Sequence, residues 1–229
     1  MDSIIRIEDL WKSYNGEDGG ETAALRGLDL EVGKGETVAI YGKSGSGKST
    51  LFNLIAGLDR PTRGTITLEG RDIHRMSEAD RTQFRRSRLG FVFQFFNLIP
   101  TLTALENVAL PLEMLGLEAQ RARDTLQEVG LYGKEKRYPH ELSGGEQQRV
   151  AIARAVVKDP VLILADEPTG NLDTETGDQV LALLEKLSQS RGTTLLLATH
   201  SGRTSLIASR VLTMSDGRIA EGHTPPDGS

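Results

Sequence analysis

Thr37-Val38-Ala39-Ile40-Tyr41 runs straight into Gly42-Lys43-Ser44-Gly45-Ser46-Gly47-Lys48-Ser49-Thr50, and this stretch decides the fold. The first five residues are rich in β-branched side chains and read as a short strand. Residues 42–49 satisfy the spacing G-x-x-x-x-G-K-[S/T]. Residues 51–58 follow with apolar side chains at helical intervals, Leu51, Leu54, Ile55 and Leu58. A glycine-rich turn between a strand and a helix lets backbone N–H groups close around phosphate oxygens, and the positive helix end adds to the attraction. Lys48 would reach the β- and γ-phosphates of a nucleotide, and the Ser49 hydroxyl would ligate Mg²⁺.

Such a loop needs an acidic element that holds the metal and orients water. Val161-Leu162-Ile163-Leu164-Ala165-Asp166-Glu167 supplies an apolar strand ending in two carboxylates. Asp166 at the tip would bind Mg²⁺ indirectly, and Glu167, on the other side of the strand by alternation, suits a base that polarises the attacking water. Leu142-Ser143-Gly144-Gly145-Glu146 opens a helix and makes a second anion-binding end. Ser143 and Glu146 also have the spacing of a capping box, which is compatible with that role. Two phosphate-binding helix ends in one chain suggest that one of them completes a site on a neighbouring molecule.

Outward from these motifs, residues 4–10 and 28–32 alternate apolar and polar positions, as half-buried antiparallel strands do. Residues 15–20 read as an acidic turn between them. Residues 65–68 and 90–93 read as further strands. From Thr103 to about Val157 the spacing is helical, with Ala122, Leu126 and Val129 on one face, Arg121, Arg123 and Asp124 toward water, and a break or kink expected at Pro111. Beyond Pro160 the pattern returns to strand 161–165, helix 177–187, strand 193–199, a short helix and strand 211–214. Strands set between helices argue for a mostly parallel, doubly covered sheet. The arginine run at Arg81, Arg85, Arg86 and Arg88 reads as a solvated face.

The chain has 229 residues, 38% hydrophobic and 26% charged, which suits one large globular domain. Its 27 Lys and Arg against 32 Asp and Glu leave a net charge of −5, with no global pull toward nucleic acid. The absence of cysteine excludes disulfide scaffolds, Cys-zinc sites and thiol catalysis. Residues 1–6 do not have the composition of a signal peptide, and no apolar run approaches the ~18 to 20 residues of a spanning helix. The expected location is therefore cytoplasmic, with any membrane contact made through a partner.

Taken together, the motifs resemble the nucleotide-binding subunit of an ATP-binding cassette (ABC) transporter over nearly the whole chain. The family's Walker A motif falls on Gly42, Ser44, Gly45, Ser46, Gly47, Lys48, Ser49 and Thr50, its signature on residues 142–146, and its Walker B on residues 161–166 with Glu167 as catalytic glutamate. Its Q-loop glutamine falls on Gln94, beside nucleotide and metal. Its D-loop falls on Asn171-Leu172-Asp173, with Asp173 at the nucleotide, and its switch histidine on His200. The adenine-stacking aromatic falls on Tyr14, with Trp11 as the other candidate. The resemblance implies an α/β fold: a P-loop NTPase core with a mostly parallel sheet, an N-terminal antiparallel β subdomain and an inserted helical subdomain at roughly 95–158. All of this would form a single ABC ATPase domain over 1–229, with 221–229 as a flexible tail.

It also implies ATP and Mg²⁺ as ligands, with Lys48, Glu167 and His200 catalytic. Ser49, Gln94 and Asp166 would attend the metal, and Ser143, Gly144 and Gly145 would close on the nucleotide of a partner subunit. The implied partners are a second copy, head to tail and ATP-induced, and integral membrane permease subunits on the cytoplasmic face of the inner membrane. The stretches from Phe95 to Val108 and from Ala165 to Asp173 are similar to the lipoprotein-releasing, macrolide-export and related cell-division ATPases. Ser201 stands where the family usually has Asp, Gln147 where Arg is frequent, and Ile207-Ala208-Ser209-Arg210 where Ala-Asp-Arg is common. An ATP-dependent regulatory switch without cargo would use the same residues and remains the alternative. A nucleic-acid ATPase of this superfamily would need a second cassette or a long coiled-coil insertion, for which 229 acidic-leaning residues leave no room.

Overall fold

The computed structural model of the chain describes residues 3–15 and 20–221. Residues 16–19 of the acidic turn and 222–229 of the tail lie outside the described residues. The chain divides into two compact units, residues 1–85 with 196–229, and residues 86–195.

In the first unit, β1 (Ser3–Asn15) and β2 (Glu21–Gly33) pair antiparallel from Ser3 opposite Gly33 to Asn15 opposite Glu21. Both strands outrun the expected 4–10 and 28–32, because the ladder continues past the alternating segment through several register shifts. The alternation itself is realised: Ile5, Ile7, Leu28, Leu30 and Val32 are all buried. Along its other edge β1 pairs antiparallel with β4 (Arg63–Leu68), and β4 with the short β5 (Arg71–Asp72).

A second sheet of this unit holds β3 (Thr37–Tyr41), whose first four residues are buried, as a strand covered on both faces requires. β3 pairs parallel with β9 (Arg210–Ser215), from Val38 opposite Arg210 to Tyr41 opposite Thr213. β10 (Arg218–Glu221) returns antiparallel to β9. α1 (Lys48–Ile55) follows the glycine-rich turn and buries Leu51, Phe52, Leu54 and Ile55.

The arginine run forms α2 (Glu78–Arg88), which is not the fully solvated face its charge suggests. Arg81 is buried beside Phe84 because its guanidinium pairs with Glu78 one turn earlier. Arg85 Nη1 donates to Gly57 O at 2.9 Å and so satisfies a carbonyl just past the end of α1.

In the second unit, β6 (Leu89–Phe93) and β7 (Leu162–Asp166) pair parallel, Leu89 opposite Leu162 through Phe93 opposite Asp166. Four helices accompany them: α3 (Ala104–Glu113), α4 (Gln120–Glu128), α5 (Gly144–Val156) and α6 (Thr174–Arg191). α5 packs against α3, α4, α6 and β6, and buries eight of its thirteen residues, as a helix central to its unit must. β8 (Thr194–Thr199) begins in this unit, where Thr194 N–H donates to Val161 O at 3.1 Å, and carries the chain back into the first.

Pro111 does not break α3. The helix runs through it to Glu113, and Met114 N–H still reaches Leu110 O at 3.1 Å. Proline in the last turn removes only one helical donor, so the loss is small. On α4, Ala122 and Leu126 are buried as expected, but Arg121 is only half exposed because it pairs with Asp159. Among the described residues, no helix is long and apolar enough to cross a membrane.

Candidate active site

The expected nucleotide residues fall in both units, and each half is built separately. In the first unit the loop leaves β3 at Gly42, whose N–H donates to Thr199 O at 3.0 Å. That bond sets the start of the loop beside the end of β8, the residue before the exposed His200. A Cβ on Gly42 would stand 2.5 Å from Met214 O and 2.7 Å from Ser46 Oγ, so only glycine lets the loop pass there. Gly45 and Gly47 have φ of 80° and 109°, and around Gly45 a Cβ would meet nothing within 4 Å. The loop is thus clamped at its root and open at its crown, as a cradle for an anion must be.

Lys48 is 7% exposed and folds back across this loop, its Nζ donating to Gly42 O at 2.6 Å and Lys43 O at 3.1 Å. Ser46 Oγ is buried without a hydrogen-bond partner, an orphan whose cost is removed by an oxygen-bearing ligand in the cradle. Ser49 and Thr50 follow in the first turn of α1. The group these residues fit is a phosphate chain, and a hydroxyl, a carboxamide and a carboxylate (Ser49, Gln94, Asp166) are hard oxygen donors of the kind Mg²⁺ takes. Among the described residues there is no group of three His, Cys, Asp or Glu that holds a metal alone.

Tyr14 lies in the same unit and is 42% exposed. Its hydroxyl donates to Asp59 Oδ2 at 2.8 Å and also meets the Thr50 side chain, which ties the ring to the first turn of α1. Lys12 Nζ sits 4.6 Å from the ring centroid. Trp11, the other candidate, is turned away: its indole N–H donates to Asp9 Oδ1 at 2.7 Å, and its ring lies over Gly27. Of the two aromatics, Tyr14 is the one beside the loop.

In the second unit, Phe93 and Asp166 are register partners at the ends of β6 and β7, so Gln94 and Glu167 leave adjacent strand tips. Glu167 does not continue the strand. Its φ is 50°, so a left-handed turn, not strand alternation, sets its direction. Such a conformation is uncommon for a residue with a Cβ. Gly170 N–H returns to Glu167 O at 3.0 Å, and the Gln94 side chain lies where a Cβ of Gly170 would be. Gln94 O accepts from Asn171 Nδ2 at 3.0 Å, and Gln94 Nε2 donates to Asn171 Oδ1 at 3.3 Å. The glutamine and the residues after Glu167 are therefore one bonded cluster.

Ser143 is the N-cap of α5, and both bonds of its capping box with Glu146 are present. A Cβ on Gly145 would lie 2.4 Å from Thr176 Cγ2, and one on Gly144 3.4 Å from Leu172 Cδ2. The two glycines let this helix end press against residues 172–176. Asp173 caps α6, its carboxylate accepting from Thr176 N–H at 2.9 Å, a bond that lowers its pKa.

Gln148 and Arg154 belong to none of the motifs legible in the sequence. Gln148 is fully buried, and its Nε2 donates to Pro168 O at 2.6 Å and Phe93 O at 3.3 Å. It thereby ties the signature helix to both strand tips. Arg154 donates to Asn97 O at 2.6 Å and Phe96 O at 2.9 Å, two residues with positive φ directly after Gln94 and Phe95. The signal was a polar residue one helical turn before Ile152, on the apolar face of α5.

The sequence pattern that describes ABC transporters matches residues 25–170, well over half of the chain. The chain belongs to the ABC transporter family. This ABC protein is 47% identical over 225 residues to the lipoprotein-releasing system ATP-binding protein LolD of Geobacter metallireducens, covering 96% of this chain and 99% of the relative. It is 49% identical over 221 residues to an ABC transporter ATP-binding protein of Mycobacterium tuberculosis, covering 94% and 88%. Its fold matches that of a dimeric ATP-binding cassette in a post-hydrolysis state with ADP and Pi, at a TM-score of 0.87 and 40% identity, covering 96% of this chain and 98% of that one. The ABC chain has the α/β cassette architecture expected of it, binds ATP, and is an ABC-type ATPase, the energy-supplying part of a membrane complex.

Proposed function

We propose that this cassette binds Mg²⁺-ATP on the loop 42–50, pairs head to tail with a second copy, and hydrolyses the nucleotide to drive integral membrane subunits from the cytoplasmic side. The observation that carries the reading is the loop itself, rooted at Gly42, open at Gly45, with buried Lys48 and an orphaned Ser46 hydroxyl. Helix N–H groups and Lys48 would neutralise charge that builds on the phosphoryl oxygens in the transition state. Ser49, Asp166 and Gln94 would hold Mg²⁺, which when bound screens the β- and γ-phosphate charge.

Glu167 would take the proton of the attacking water, and His200 would hydrogen-bond the γ-phosphate. Tyr14 offers a ring face to adenine. Ser143, Gly144 and Gly145 present a second anion-binding helix end, which serves the nucleotide of the partner copy and makes each site composite. Asp173, capping α6 beside those glycines, belongs to the same closing surface. Gln94 and residues 95–158 form the region through which the membrane subunits would sense the nucleotide. The dimeric cassette of like fold supports the pairing.

The test is ATP turnover against protein concentration, with sizing of Glu167→Gln in ATP. A steeper-than-linear rate and an ATP-dependent dimer are expected. A strictly linear rate with a persistent monomer would overturn the composite site.

A further inference from the structure

The signature helix α5 begins with a charge conflict. Glu146 Oε2 accepts from Ser143 N–H at 2.9 Å, so its carboxylate sits on the N-cap of the helix end that would receive phosphate. A carboxylate there favours the isolated helix, but it repels a second anion at the same end.

The structure answers this with a lysine from another segment. The Lys134 ammonium donates to Glu146 Oε1, the oxygen that Ser143 does not use. Lys134 is fixed by its own backbone, its N–H on Leu131 O at 3.1 Å and its carbonyl accepting from Arg137 N–H at 3.0 Å. That turn is anchored to the start of α3 through Ala104 N–H on Arg137 O and Leu105 N–H on Glu135 O, at 2.8 and 3.0 Å. The ammonium is therefore presented by a braced turn. Glu146 is mostly buried, 16% exposed at the side chain. The Lys134 bond, followed by the one from Ser143, holds its carboxyl below the usual range, so it stays ionised.

We propose that Lys134 is a positioning residue for ATP-driven pairing: it neutralises Glu146, so that the end of α5 can accept the phosphate of the partner copy's nucleotide. This rests on the reading that residues 143–145 close on that nucleotide. Lys134 acts through Glu146 and the Ser143 cap. A glutamine at position 146 would need no such counter-charge, since its amide keeps one acceptor for Ser143 N–H without the negative charge.

The experiment is a double-mutant cycle in the Glu167→Gln background, reading the MgATP-driven dimer constant by sedimentation and the ATP affinity of the monomer by titration. Lys134→Ala should weaken the dimer roughly two- to fivefold, the effect of one charge at a helix end, and leave monomer ATP affinity unchanged. Adding Lys134→Ala to Glu146→Gln should change nothing further. If Lys134→Ala also lowers thermal stability, Lys134→Gln, which keeps part of the stem and removes the charge, takes its place with the same expectations. An equally tight dimer in both Lys134 variants, or an equal loss with and without Glu146→Gln, overturns the inference and leaves the composite site standing. No ATP-driven dimer in the parent with Lys134 intact overturns the composite site itself, and this inference with it.

Discussion

Tyr14 and Asp59 are joined by a 2.8 Å hydrogen bond from the phenol to Oδ2, and Lys12 binds the other carboxylate oxygen, Oδ1, at 2.8 Å while lying over the ring. One ring face is thus occupied by an ammonium, and the opposite face is the one a base would stack on. Burial and the bond to Asp59 both push the Tyr14 phenol up, so it remains a donor across the physiological range. Burial works to raise Asp59, but the bonds from Lys12, Tyr14 and Arg60 N–H outweigh it and hold the carboxyl below its ordinary value.

Tyr14→Ala should therefore raise KM for ATP with little change in kcat, by an amount equivalent to about 1–3 kcal/mol for one stacked base. Asp59→Ala should have a smaller effect of the same sign, since it loosens the ring without removing it. Asp59 titrates below its unfolded value, so its contribution to stability is complete above the ordinary carboxylate range and fades as pH falls through the lowered one. Unfolding curves of Asp59→Ala and wild type should converge in acid. A gap that stayed constant with pH would mean that the charge of Asp59 is not what holds this cluster.

Glu167→Gln should reduce turnover at least about a hundredfold while ATP still binds, as loss of a general base does. Lys48→Ala should instead weaken ATP binding, about ten- to hundredfold for the loss of charged hydrogen bonds. Nucleotide titration beside steady-state turnover separates the two. Unchanged ATP affinity in Lys48→Ala would remove Lys48 from the cradle.

Gly42→Ala places a methyl group 2.5 Å from the Met214 carbonyl, a backbone atom that cannot rotate away. The expected cost is about 1–3 kcal/mol of stability, measured by urea unfolding without nucleotide. Gly20→Ala, with no left-handed φ and nothing within 4 Å, is the control for adding a methyl group without a clash.

Lys158 is the group whose titration should appear in alkaline unfolding. Its ammonium donates to Arg86 O, and burial pushes its pKa down from 10.5 to about 8. Between those values the unfolded chain binds more protons than the folded one, so this group's contribution makes stability rise with pH. Compared with Lys158→Met, wild type should gain stability from about pH 8 toward 10.5. Parallel profiles for the two proteins would show that the ammonium is not desolvated.

Much of this was legible in local patterns, because the physics behind them is local. A glycine spacing between a strand and a helix can be read from a dozen residues, and alternation along 4–10 and 28–32 needs only the period of a strand to be read. Residues 142–146 announced a capping box, and both of its bonds are present. The arginines of α2 misled because charge predicts exposure only when its partner is unknown: Glu78, one turn before Arg81, makes its burial affordable. Pro111 misled because the cost of a helical proline depends on how many turns follow it, and here almost none do.

By itself the sequence determined the chemistry on offer: the phosphate loop, the carboxylates at 166 and 167, and the second glycine-led helix end. Only the tertiary structure decided which groups meet. It bonded the Tyr14 phenol to Asp59 and the Trp11 indole to Asp9, set Glu167 by a left-handed turn, and joined Gln94 to Asn171 across 77 positions. It also placed Lys134 on Glu146. The reason is physical: periodicity and turn preference act over a few residues, whereas a hydrogen bond or ion pair between distant residues exists only once packing has brought both partners together.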